Sequence, residues 1–203
     1  MANKKKVLVT GFEPFGKHAV NSSWVAVQEL ELLGLGEAVD LHVCEVPVEY
    51  QAVQGLLPSL WKEHKPQLMV HVGVSGLATT VTLEQCGHNK GYKRLDNCSF
   101  CPASQCCMDS GPECIQSVLD MDTVCGRVND SGLGVTISVS KDAGRATLPS
   151  SMCLHLESPT AARTWAELFR PRYRRCSNCW NWITNTTSTA ITSTNSSMST
   201  TEF

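Results

Sequence analysis

The stretch Val7-Leu8-Val9-Thr10-Gly11-Phe12-Glu13-Pro14-Phe15-Gly16 constrains this chain more than any other. Val7 to Val9 are apolar and follow Lys4, Lys5 and Lys6. A short apolar run bounded by Gly and Pro reads as a buried strand. Gly11, Pro14 and Gly16 then punctuate a loop, and Asn21-Ser22-Ser23 offers a helix start. Strand, tight loop and helix in that order open an α/β unit. Ligands of open α/β sheets bind at the carboxyl ends of the strands. Phe12 and Phe15 sit in that loop, either as walls for a small flat ligand or as plugs for the sheet end.

The alternation continues down the chain. Trp24, Ala26, Val27, Leu30 and Leu33 form the apolar face of a helix ending near Gly34 and Gly36. Val39 to Val46 reads as a strand. Val53, Leu56, Leu57, Leu60 and Trp61 follow helical spacing and predict the clearest amphipathic helix. Leu68 to Gly73 is a second buried strand, and Val81 to Glu84 is short and extended. Gly87 to Gly111 has loop composition without a period. Ile115, Val118, Leu119, Met121, Cys125 and Val128 predict a third helix, and Val135 to Val139 a further core strand. Strands alternating with helices predict an α/β domain with a mainly parallel sheet.

The totals narrow the function classes. With 203 residues, 42% hydrophobic, the chain has material for one ordinary domain. A net charge of -2 gives no reason to expect nucleic acid or an anionic membrane as partner. No apolar run approaches the ~20 residues of a membrane span. Nor does the basic start at Lys4 lead into a signal-peptide core. The 11 cysteines are therefore expected as reduced thiols in the cytosol. On that reading the Asn-X-Ser/Thr triplets at Asn21, Asn97, Asn129, Asn185 and Asn195 are chance matches.

Gly11-Phe12-Glu13-Pro14-Phe15-Gly16 resembles the signature of the pyroglutamyl-peptidase I family, cytosolic cysteine peptidases that remove pyroglutamate from peptide amino termini. The resemblance implies a three-layer α/β/α sandwich, no cofactor, no metal, and peptides with N-terminal pyroglutamate as partners. It places Phe12 and Phe15 around the pyroglutamyl ring. Gly73-Val74-Ser75-Gly76 is similar to the family's substrate-side loop, whose backbone N–H groups suit a developing oxyanion. Thr82-Leu83-Glu84-Gln85-Cys86-Gly87-His88-Asn89 is similar to its active-site glutamate motif, with Glu84 as the acid that orients a histidine. Asn89 and Gly91 match the same motif. Cys98-Ser99-Phe100-Cys101 with Cys106-Cys107 has the spacing of a zinc site, but its adjacent pair is awkward for chelation. The same segment resembles vertebrate members of the family, which hold no zinc.

The resemblance runs to about Arg145. The family's Asp-Ala-Gly-Arg, here Asp142-Ala143-Gly144-Arg145, is followed within a few residues by the nucleophilic cysteine. Here Ala146-Thr147-Leu148-Pro149-Ser150-Ser151 follows, and the next cysteine is Cys153. The His-Val-Pro-Pro strand that carries the base is missing. Cys153 and His155 are two residues apart, one face of an extended strand, and are remote stand-ins. Codons chosen for Met152 to Pro159 and read one base earlier give His-Val-Pro-Pro-Leu-Gly-Lys-Pro-Tyr. This implies a transcript that lacks the cysteine-bearing segment and continues in a shifted frame.

The expected organisation is a truncated pyroglutamyl-peptidase-like domain over 1–145, an aberrant segment over 146–183 and a Ser/Thr/Asn-rich disordered tail over 184–203. The basic run Arg170, Arg172, Arg174 and Arg175 reads as a solvated part of that aberrant segment. The sheet is expected to lie open around Ile137 and Val70, and the chain to be marginally stable and inactive. The alternatives are a non-catalytic form that binds pyroglutamyl peptides or associates with the intact enzyme, and a zinc module on Cys98, Cys101, Cys106 and Cys107.

Overall fold

In a computed structural model of the chain, described here for residues 4–74, 80–132, 134 and 136–141 and for the backbone of 152–156, strands and helices alternate from the start. The strands are β1 (Lys5–Phe12), β2 (Val39–Val46), β3 (Leu68–Val74), β4 (Val81–Glu84), β5 (Cys86–His88), β6 (Cys114–Gln116), β7 (Ile137–Ser140) and β8 (Met152–Leu156). The helices are α1 (Ser22–Leu33), α2 (Tyr50–His64) and α3 (Met121–Asn129).

Six strands form one sheet in the order β2-β1-β3-β8-β4-β7, and β5 and β6 form a separate antiparallel ribbon. Four of the five pairings in the large sheet are parallel; β4 with β8 is antiparallel. The expected mainly parallel α/β sheet is therefore present. β1 lies between β2 and β3, which is why its burial is continuous from Val7 to Gly11.

Side-chain alternation splits the core between the two faces of the sheet. On one face Val7, Val9, Val70, Val72, Val81, Leu83 and Ile137 pack with Ala26, Val27 and Leu30 of α1 and Met121 of α3. On the other, Leu8 and Met69 pack with Leu60 of α2, flanked by Leu56 and Leu57. These are the three expected layers.

Four expectations need correction. Trp61 is 50% exposed. It follows Leu60 by one residue, about 100° round the helix, which turns it off the face that α2 buries. The third helix starts at Met121, six residues after Ile115. Ile115 lies in β6, and Val118 is 66% exposed in the turn between them. An apolar spacing that crosses a strand, a turn and a helix imitated one helix. The strand at Val135 starts instead at Ile137. Val70 and Ile137 are not open to solvent; each is 4% exposed. β8 pairs with β3 on one side and β4 on the other, so β3 is internal. Among the described strands β2 and β7 are the edges, Ile137 lying on an edge strand with its side chain buried. The expected disordered tail and basic run lie outside the described residues.

Candidate functional site

The end of β1 is held against the start of α1 by close backbone approach and one polar knot. A Cβ on Gly11 would lie 2.7 Å from Trp24 Cα and 2.9 Å from Trp24 N. Only glycine fits there. Asn21, 5% exposed, caps α1: its Oδ1 accepts from Ser23 N at 3.0 Å and from Ser23 Oγ at 2.8 Å. Its Nδ2 donates to Glu13 O at 2.9 Å, and Phe12 N donates to Ser23 Oγ at 3.0 Å. Gly11 and Phe12, expected in the loop, are the last residues of β1; the loop that follows with Phe15 is thereby tied to the next helix.

Beyond Phe12 the loop turns back on itself. His18 N donates to Phe15 O at 3.0 Å, and the Phe15 and His18 rings lie 5.1 Å apart. Pro14 to Ala19 and Asn97 line an open concavity of about 380 Å³. Phe15 belongs to it; Phe12, Gly73, Val74 and Glu84 do not.

The strand register places the other candidates. Thr10 pairs with His71, and Thr10 Oγ1 and His71 Nδ1 share a hydrogen bond of 2.6 Å. His71 is also the register partner of Cys153, and Cys153 that of Glu84. The row Thr10–His71–Cys153–Glu84 thus crosses four neighbouring strands. His155 pairs with Gly73 and Thr82 in the row beside it. Leu8 and Met69 face α2, so alternation turns Thr10, Phe12, His71 and Gly73 to that face as well. Val81 and Leu83 face α1 and α3, which turns Thr82 and Glu84 the opposite way, again toward the α2 layer.

One face therefore gathers Phe12, Gly73 and Glu84 around a buried Thr10–His71 pair, 0% and 1% exposed. Phe15 lies farther out in the loop, and Val74 alternates to the other face. Ser75 and Gly76 of the substrate-side loop are outside the described residues. Glu84 is 6% exposed at the end of β4. The sequence reading passed over His71. Its signal was a titratable side chain inside the apolar run Leu68-Met69-Val70-His71-Val72.

Two carboxamide side chains beyond Glu84 hold the following segment. Gln85 Nε2 donates to Ser117 O at 2.9 Å and Leu119 O at 3.1 Å, and its Oε1 accepts from Met121 N at 3.2 Å. Asn89, 7% exposed, donates from Nδ2 to Met108 O at 2.8 Å and accepts at Oδ1 from Met108 N at 2.8 Å. The aperiodic stretch after Gly87 is ordered by such side-chain-to-backbone bonds. They leave no hydropathy period in the sequence.

Burial disfavours the charged forms of two neighbouring groups on β2. Burial, then Glu13, raises the Glu45 carboxyl above its usual value. Burial, then Glu45, raises the Cys44 thiol. Burial pushes the Cys107 thiol up to about 11. That disfavours a thiolate at one of the four positions of the zinc alternative. Among the described residues Cys98, Cys101, Cys106 and Cys107 form no group able to share a metal ion. All eight described cysteines carry free thiols.

Comparison with known proteins agrees with the fold. A family model described as Pyroglutamyl peptidase matches residues 5–156, a span that takes in β8. Pyroglutamyl-peptidase 1 of Rattus norvegicus is 70% identical over 142 residues, 70% of this chain and 68% of the rat protein. The Homo sapiens protein of the same name is 69% identical over 142 residues, with the same coverage. The crystal structure of Bacillus amyloliquefaciens pyroglutamyl peptidase I is similar in fold, with a TM-score of 0.69 at 22% identity over 82% of this chain and 94% of that one. Pyrrolidone carboxyl peptidase from Thermococcus litoralis gives a TM-score of 0.67 at 18% identity over 83% and 92%. On the extent of the family match and the identity to the mammalian proteins, this chain belongs to the pyroglutamyl peptidase family.

Proposed function

We propose that this chain is a pyroglutamyl-peptidase family member that keeps part of the substrate site and does not complete the reaction. The observation that carries this is the sequence after Asp142-Ala143-Gly144-Arg145: no cysteine before Cys153 and no His-Val-Pro-Pro. In the reaction that the family resemblance implies, a cysteine thiolate attacks the carbonyl after the pyroglutamyl ring. A histidine takes the thiol proton and later delivers it to the leaving amine. Water then hydrolyses the thioester. By the family resemblance, Phe12 and Phe15 stand for the ring walls, the backbone of Gly73 and Val74 for the oxyanion side, and Glu84 for the acid. Nucleophile and base have no residue at their family positions. Groups of this kind act as a unit, and loss of one removes most of the rate. What remains is weak binding of pyroglutamyl ends without turnover.

A second reading is favoured by the register. Cys153 is the backbone partner of both His71 and Glu84, and His155 lies two residues on in the same strand. On that reading the pair replaces the lost nucleophile and base. Hydrolysis of a fluorogenic pyroglutamyl amide by the full chain, beside Glu84→Ala and Cys153→Ser, separates the two. The first reading expects buffer-level rates in all three. Turnover that falls in both variants overturns it in favour of the second.

A further inference from the structure

We propose that the β5–β6 ribbon carries a soft-metal site, built from Cys86, His88 and Cys114, that takes one Zn²⁺. Three facts converge on it. First, the ribbon pairs Cys86 with Gln116, Gly87 with Ile115 and His88 with Cys114. Cys86 and His88 are two apart on one strand, and Cys114 is opposite His88, so alternation sets all three on one face. Secondly, their ligand atoms all lie within 4.8 Å of one another, and Cys86 Sγ is 3.7 Å from His88 Nε2. Two sulfurs at about 2.3 Å and a nitrogen at about 2.0 Å from one tetrahedral zinc require separations of this order. Thirdly, the group has both a floor and a mouth. Cys86 is 6% exposed, His88 half-buried and Cys114 exposed, so an ion enters from the Cys114 side.

The donor set selects the ion. Two thiolates and an imidazole suit zinc and exclude calcium and magnesium, which take oxygen. Binding releases the Cys86 and Cys114 thiol protons, and the two thiolate charges balance the 2+ of the ion. Cys86 Sγ now donates to Lys141 O at 2.7 Å, and that bond is surrendered when zinc takes the sulfur. Three protein ligands leave the fourth position for water. The site lies two residues beyond Glu84 and is separate from the four cysteines of the earlier zinc alternative.

The test loads the reduced full chain with one equivalent of Co²⁺, then Zn²⁺. Expected are thiolate-to-cobalt charge-transfer bands with tetrahedral visible bands, both erased by one equivalent of zinc. Cys86→Ser, His88→Gln and Cys114→Ser should each weaken zinc binding at least about a hundredfold, the upper end of what loss of a partner outside the ligand set costs. Cys98→Ser should leave binding unchanged. Zinc X-ray absorption on the unmutated chain needs no variant to fold. It should show two sulfurs at about 2.3 Å with an imidazole. Bands that survive all three ligand variants, a four-sulfur spectrum, or binding lost on Cys98→Ser would overturn the proposal.

Discussion

Gly11 is where a single methyl group meets the most resistance. The atoms it would strike, Trp24 Cα and N, are backbone and cannot rotate away. Gly11→Ala should therefore destabilise the chain by about 1–3 kcal/mol, the usual cost of overpacking, read as a lower denaturant midpoint at unchanged slope. Asn89 is the corresponding polar position. Asn89→Ala strands Met108 N and Met108 O, and should cost about 1–3 kcal/mol and speed proteolytic cleavage within residues 90–112. An unchanged cleavage rate would show that other contacts order the segment. Both residues stood out in the sequence through family motifs, yet their physical tasks did not. A glycine gives no hint of which backbone it faces, and an amide gives none of which carbonyls it will reach. Gln85, with three bonds to backbone, was quoted in the sequence only as part of the glutamate motif, with no task of its own.

At the scale of elements, the first three strands were legible in place, while β1 runs two residues earlier and three later than its apolar run. β1, β2 and β3 lie where Val7 to Val9, Val39 to Val46 and Leu68 to Gly73 place them. α3 was legible in kind but not in start, because β6 and a turn continued its apolar spacing upstream. Its true start is set by Asp120, whose Oδ1 accepts from Thr123 N at 3.0 Å and Oδ2 from Thr123 Oγ1 at 2.6 Å. Those bonds, the side-chain one foremost, hold the Asp120 carboxyl below its usual value. The folded state thus prefers the charged carboxylate. The contribution is full above the usual carboxylate range and is lost as pH falls through the lowered value. Stability measured from about pH 5 down to about pH 2 should fall less steeply in Asp120→Asn than in the parent chain. Equal slopes would mean that the cap does not sense the charge.

At the scale of the molecule, the sheet order is what no local pattern revealed. β8 enters between β3 and β4 although Met152 to Leu156 lies beyond Arg145, where the motif resemblance fades. A strand needs only alternation and length to pair, and its five residues supply both. The catalytic question is different in kind: chemistry needs particular atoms at particular places, and the segment after Arg145 lacks the family's cysteine. Mixing the full chain in excess over a fluorogenic pyroglutamyl amide tests this most directly, because it records even one acylation per molecule. The account predicts no release of the leaving amine above the buffer rate. Release approaching one amine per substrate molecule, abolished by Cys153→Ser, would contradict it and make β8 a working catalytic strand.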